Sequence, residues 1–175
     1  MKNLLEVKLY GKGVDLVPIS LKYREECFSE FNSEITKYMV AKPSKKISGT
    51  DRFIKMSIME MNEEKALIMA VINKEGEYLG NVGLHDINTK TPNLGIWIKV
   101  PAQGHNYGKE AITLLKEWAD KNIDYDYIVY PVAKDNIPSR KIPESLGGKV
   151  TERYIVTLGG KPASTVEYNL YKKVE

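Results

Sequence analysis

The chain has 175 residues, 42% hydrophobic and 28% charged, with a formal net charge of +3. That length suits one domain with a sizeable core, residues 1–175, and the composition is that of a soluble globular protein, which sets aside disordered and low-complexity classes. Lys and Glu are interspersed, so the mild charge argues against a general nucleic-acid footprint while leaving room for a local basic pocket.

From the N-terminus, MKNLLEVKLYGKG is too short and too charged for a secretory signal. No run anywhere approaches the ~18 apolar residues of a membrane span. Val14 to Ile19 alternates as a strand, with Pro18 marking an edge or an end. A helix is expected from Ser20, with Leu21, Cys27, Phe28 and Phe31 near one face. Cys27 is the single cysteine, which excludes an intrachain disulfide and points to a reducing compartment. Beside two phenylalanines it reads as a buried structural thiol. A polar connection containing KPSKK leads to Ser48, which with Asp51 resembles a helix cap. The helix after it carries Phe53, Ile54, Ile58 and Met61 at helical spacing.

From residue 67 the period changes. ALIMAVINK and YLGNVGLHDI flank Lys74-Glu75-Gly76-Glu77 as a hairpin, and NLGIWIKV, residues 93 to 100, is a further strand stopped at Pro101. After QGHNYGKEA, a helix from about Tyr107 to Asn122 gathers Ala111, Leu114, Leu115, Trp118 and Ala119 into one stripe. DYIVYPV, residues 126 to 132, is a buried strand. NIPSRKIPESLGG is a short helix with Asn136 as cap and Gly147-Gly148 as stop. The tail gives two strands, roughly 149–157 and 165–173, around the Gly159-Gly160 turn. This order describes one mixed α/β domain.

The run Gln103 to Ala111 carries the chemistry. It lacks the Lys-Ser/Thr ending of a Walker loop, and Gly104 and Gly108 alone do not make a dinucleotide fingerprint. A strand, a Gly/Asn-rich turn and a long helix remain, read equally as a structural turn or as a cradle whose helix N-terminus favours a pyrophosphate. No spacing suited to a metal occurs.

Taken with its surroundings, IWIKVPAQGHNYGKEAI resembles the signature of the GNAT superfamily of acetyl-CoA-dependent N-acetyltransferases, whose cofactor loop reads Gln/Arg-x-x-Gly-x-Gly/Ala. Gln103 and Gly108 match its ends, and Asn106 stands at the middle glycine, as the residue most tolerant of a left-handed backbone. Asn136-Ile137-Pro138-Ser139 with Leu146-Gly147 resembles the family's second segment. GLHDI and GIWI look most like the Rim-type branch of ribosomal-protein N-terminal acetyltransferases and their small-amine relatives.

The resemblance implies a mixed central sheet flanked by helices, with a splayed strand pair forming the acetyl-CoA cleft. It implies main-chain bonds from Ile98 and Val100 to the pantetheine arm. Backbone N–H groups of Gln103, Gly104, His105, Asn106, Tyr107, Gly108 and Lys109 would hold the pyrophosphate. Asn136 would meet the cofactor arm, and Arg140 or Lys109 a phosphate, unless either is a solvated helix residue. Many relatives place an acidic Tyr where this chain has Pro143, so the acid passes to Ser139, which otherwise serves as a first-turn hydroxyl. His85 is either the base and part of the acceptor site or a satisfied strand histidine; imidazoles titrate near neutrality. Glu34 can hold an amine.

The implied function is acetyl transfer from acetyl-CoA to a primary amine, on a protein N-terminus or a small molecule, by direct attack. The rival is a catalytically weak or inactive acyl-CoA-binding sensor module. A nucleic-acid-binding domain disagrees with the charge balance. The expectation is a cytoplasmic monomer or homodimer.

Overall fold

The apolar runs pair into one eight-stranded mixed sheet in the computed structural model, which describes residues 3–158 and 160–174. Strands β1 (Leu9–Tyr10), β2 (Val14–Pro18), β3 (Ala66–Asn73), β4 (Tyr78–His85), β5 (Asn93–Ile98), β6 (Ile128–Ala133), β7 (Lys149–Leu158) and β8 (Lys161–Leu170) lie in the order β1-β2-β3-β4-β5-β6-β8-β7. All neighbours are antiparallel except β5 and β6, which are parallel. The helices are α1 (Arg24–Glu30), α2 (Ser33–Thr36), α3 (Ile47–Asn62), α4 (Tyr107–Asn122) and α5 (Ile137–Ser145).

A parallel pair needs a crossover, and α4 supplies it. It covers the helix expected from its stripe: Ala111, Leu115, Trp118 and Ala119 are buried, while Leu114 is half-buried against β1 and β2's side of the core. Burying a Leu or Ile side chain contributes about 1.5–3 kcal/mol, so this face fixes the helix to the sheet. Glu110 Oε1 accepts from Gly13 N–H at 2.8 Å, which ties the first turn of α4 to the β1–β2 hairpin.

Side chains of a strand alternate between its faces. Odd-numbered positions of β4 and β5 (Asn81, Gly83, His85, Gly95, Trp97) share a cavity with Cys27 of α1 and Phe53 of α3. Even-numbered Ile96 and Ile98 instead meet the first turn of α4, where a Cβ added at Gly108 would lie 3.6 and 3.7 Å from their side chains.

Several boundaries differ from the sequence reading. The helix after Ser20 opens as a 3-10 turn (Leu21–Tyr23), and Tyr23 and Cys27 are its buried residues while Leu21 is 40% exposed. Ser48 is not a cap: α3 begins at Ile47 and Lys46 is at the cap position. Asp51 serves a different end, accepting from Arg24 Nε at 2.7 Å and Nη2 at 2.6 Å. The last strand begins at Lys161, earlier than expected, and Gly159 of the expected turn lies outside the described residues.

Between β5 and α4 the chain passes through a 3-10 turn (Val100–Ala102) and two left-handed residues, Gly104 at φ 85° and Asn106 at φ 61°. Asn106 thus takes the backbone that a glycine would. At the same end of β5, Gly80 of β4 faces Ile98 so closely that a Cβ would stand 2.1 Å from the Trp97 carbonyl oxygen. The β3–β4 register shifts beside this approach, where Val71 pairs with Gly80 and Ile72 with Tyr78, leaving Leu79 of β4 as the extra residue of a bulge.

Two outcomes are expected in urea denaturation. Gly80→Ala destabilises the protein by about 2–4 kcal/mol, because the obstacle is backbone and cannot rotate away. Asn106→Val costs about 1–2 kcal/mol, whereas Asn106→Gly stays within about 0.5 kcal/mol of the parent. Equal stability of the two Asn106 variants would show that the left-handed turn is not maintained in solution.

Candidate functional site

Peptide groups along a strand face its two neighbours by turns. Lys99 N–H donates to Leu79 O on the β4 side, and Val129 N–H donates to Pro92 O on the β6 side, both at 2.8 Å. The main-chain groups of Ile96 and Ile98 therefore face β6. Yet β5 and β6 share a single register pair, Asn93 with Val129, and then diverge. The split opens as a cleft of about 320 Å³. Gln103 Nε2 donates to Ile98 O at 2.9 Å, so the loop side chain answers one carbonyl of the opened edge. Sequence reading had given Gln103 a backbone role only.

One wall of the cleft is Gln103, Gly104 and Asn106 to Lys109. Asn106 occupies the cap position of α4 but makes no side-chain capping bond. The first-turn N–H groups, which have no acceptor within a helix, are left for a ligand, and the helix dipole makes that end favour an anion. Val100 lies in the 3-10 turn, 43% exposed, and His105 is exposed with its ring 5.4 Å from that of Tyr107; neither is on the cleft wall.

The facing wall comes from Asn136, Pro138, Ser139 and Ile142. Asn136 makes no side-chain capping bond either. Ser139 Oγ lies 2.7 Å from the hydroxyl of Tyr130 on β6. Tyr130 is buried, and burial, helped by nearby Tyr168 and opposed by the Ser139 hydrogen bond, leaves its phenol pushed up to about 12. It stays protonated at neutral pH and can donate into Ser139 Oγ, which turns the serine's own proton elsewhere. The sequence reading placed Tyr130 only within a buried strand. The one available signal was that a buried tyrosine hydroxyl requires a partner.

Arg140 departs from its expected place. Its Nε donates to Tyr168 OH and its Nη1 to Lys134 O, both at 3.0 Å, and Tyr168 OH donates to Glu144 Oε1 at 2.6 Å. The guanidinium is held by β8 and the turn before α5, off the cleft wall, whereas Lys109 lies on it.

A second cavity, about 390 Å³, adjoins the first along Met39, Ile96 and Trp97, which line both. Phe31 and Phe53 supply much of its apolar wall, and the ring of Trp97 lies 5.0 Å from that of Phe31. His85, exposed at the end of β4, lies on this wall, close enough that a Cβ on Gly83 would meet its Nε2 at 2.9 Å. Glu34, from α2, lines the first cavity and not this one. Cys27 also borders the second cavity, and burial pushes its thiol up, so it remains protonated. Among the described residues no helix is long and apolar enough to cross a membrane.

Comparisons with known proteins agree with this geometry. A family model described as an acetyltransferase (GNAT) domain matches residues 14–149. An uncharacterized protein of Methanocaldococcus jannaschii is 30% identical over 97 residues, 53% of this chain, and the match spans only 20% of that longer protein. The crystal structure of the microcin C7 self-immunity acetyltransferase MccE, in complex with acetyl-CoA and AMP, is 26% identical with a TM-score of 0.81, covering 92% of this chain and 93% of that one. RimL, a ribosomal L7/L12 alpha-N-protein acetyltransferase in complex with coenzyme A, shares the fold at 13% identity and a TM-score of 0.84, covering 92% and 95%. With most of its length matched by the family model, the chain belongs to the GNAT acetyltransferase domain family.

Proposed function

We propose that the chain, residues 1–175, works as one N-acetyltransferase domain that moves the acetyl group of acetyl-CoA to a primary amine in the cytoplasm. The observation that carries this is the coincidence of the β5–β6 split with an uncapped α4 N-terminus and its left-handed loop. An extended amide-bearing ligand suits the open strand edge, and a pyrophosphate suits the helix end. MccE and RimL, whose structures hold acetyl-CoA and coenzyme A, support the choice of ligand.

Main-chain groups of Ile96 and Ile98 receive the pantetheine arm. N–H groups from Gly104 to Lys109 receive the pyrophosphate, with Lys109 as a cation, while the Gln103 N–H is spent on Val100 O, and Asn136 steadies the arm from the facing wall. When bound, acetyl-CoA supplies a thioester whose carbonyl carbon accepts the amine nitrogen while its carbon–sulfur bond breaks. His85, on the acceptor side, takes the proton that the amine gives up. Ser139 directs its proton to the departing sulfur, and Tyr130, donating into Ser139 Oγ, offsets the charge left there. No side chain carries the acetyl group. Glu34 stands where it can hold an ammonium at the rim of the first cavity.

Two experiments test this reading. Titration calorimetry is expected to show acetyl-CoA binding, and thiol release with a panel of amines to show turnover. Tight binding with no turnover across a broad panel would favour the sensor module instead. Ser139→Ala is expected to lower kcat about tenfold or more with the acetyl-CoA KM unchanged, and Tyr130→Phe to lower it less. The double variant should match Ser139→Ala alone, because both act on one hydroxyl. Additive losses would separate Tyr130 from the acid.

A further inference from the structure

The second cavity says more about the acceptor than the family does, and the argument rests on the reading above. Two features of its wall set the chemistry. Among the described residues that line it there is no Asp or Glu, and Lys42 is the one Lys or Arg. The remainder of the wall is dominated by Phe31, Phe53, Trp97, Met39 and Ile68. Asn81, 5% exposed on the β4 floor, has its oxygen taken by Tyr78 OH at 2.9 Å, and its amide N–H points toward Cys27 Sγ at 3.7 Å. Beside the Lys42 cation, the polar side chains left on the wall are Ser44, Thr50 and His85, none of which carries a negative charge.

We propose that this cavity takes an acceptor whose amine is carried on an apolar aromatic body bearing an acidic group, and that it rejects polyamines. The aromatic body packs on the Phe31–Trp97 side, the acid meets Lys42, and the amine reaches the junction at Ile96 and Trp97 where the two cavities meet. A polyamine would bring a second ammonium into an apolar cavity whose wall holds no carboxylate, and an unpaired buried charge is costly.

Gly95 allows the wall to be altered without touching the cofactor cleft. It lines only the second cavity, and a Cβ added there meets nothing within 4 Å, so a larger side chain projects into the open space. The test measures thiol release at matched concentrations of free amine for para-(aminomethyl)benzoate, benzylamine and spermidine. The expected order of kcat/KM has para-(aminomethyl)benzoate about fivefold above benzylamine, and benzylamine about tenfold or more above spermidine. Lys42→Ala should bring the first two together. Gly95→Val should cut turnover of both aromatic amines about tenfold or more, with the acetyl-CoA Kd from calorimetry unchanged.

Spermidine matching or exceeding benzylamine would overturn the proposal, as would full aromatic turnover in Gly95→Val. Acetyl-CoA binding without turnover of either aromatic amine counts against the pocket assignment as well. Failure of the parent protein to bind acetyl-CoA would instead overturn the enzymatic reading on which the proposal stands.

Discussion

Among the described residues a single register pair, Asn93 with Val129, joins β5 to β6, with one further main-chain bond, Asp126 N–H to Lys90 O, just outside the strands. On either side the pairing is complete: β5 runs six residues against β4, and β6 runs six against β8. Both strands are therefore held by their outer neighbours and are free to diverge from each other. Divergence leaves peptide groups of Ile96 and Ile98 facing a gap, and buried peptide groups without partners cost about 1–3 kcal/mol each. Gln103 answers at Ile98 O. What remains is an open strand edge inside a domain, where aggregation is blocked by the flanking helices but a single extended ligand can still enter.

The loop after β5 converts that edge into a site with two kinds of donor. The 3-10 turn ends the strand, Gly104 and Asn106 turn the chain through left-handed conformations, and α4 starts with its N–H groups directed back at the split. An Asn at a cap position ordinarily satisfies those N–H groups with its own side chain. Here the left-handed backbone gives up that bond, and the cost is borne by the apolar stripe of α4 and by the Glu110–Gly13 hydrogen bond, which spans 97 residues of sequence. The helix is thus anchored by its far face and by the β1–β2 hairpin, while its N-terminus stays available.

What the sequence disclosed follows the range of the interactions concerned. The α4 helix is legible because Ala111, Leu115, Trp118 and Ala119 repeat at helical spacing within one segment, and the loop before it is legible because Gly and Asn report local backbone needs. Arg140 is held off the cleft because Tyr168 reaches it only when β8 returns beside β6, with Lys134 O as a second acceptor in the turn before α5. Ser48 is misread because Asp51 is claimed by Arg24, 27 residues away, and not by its own helix end. Tyr130 is passed over for the same reason: α5 folds back to set Ser139 against it, and nothing in DYIVYPV records that. The second cavity is the extreme case. Its wall draws on α1, α3, the segment between α2 and α3, and three strands, so no local pattern can encode it.

Pro143 connects these points. A proline at this position has no N–H to return to the Ser139 carbonyl, and α5 ends soon after, with Gly148 N–H donating to Pro143 O at 2.8 Å. The helix is short, and Pro143 itself is buried, so its ring packs where a longer polar side chain would need room. No hydroxyl stands one turn along α5 from Ser139, and the pair of Ser139 and Tyr130 is what α5 and β6 together bring to the cleft. The pair bridges α5 and β6, which are the two elements on the far side of the split. On the proposed reading, the acid is therefore tied to the strand whose divergence creates the cleft. The open ligand edge and the hydroxyl pair are thus both set by the position of β6, so binding and proton delivery share one structural support.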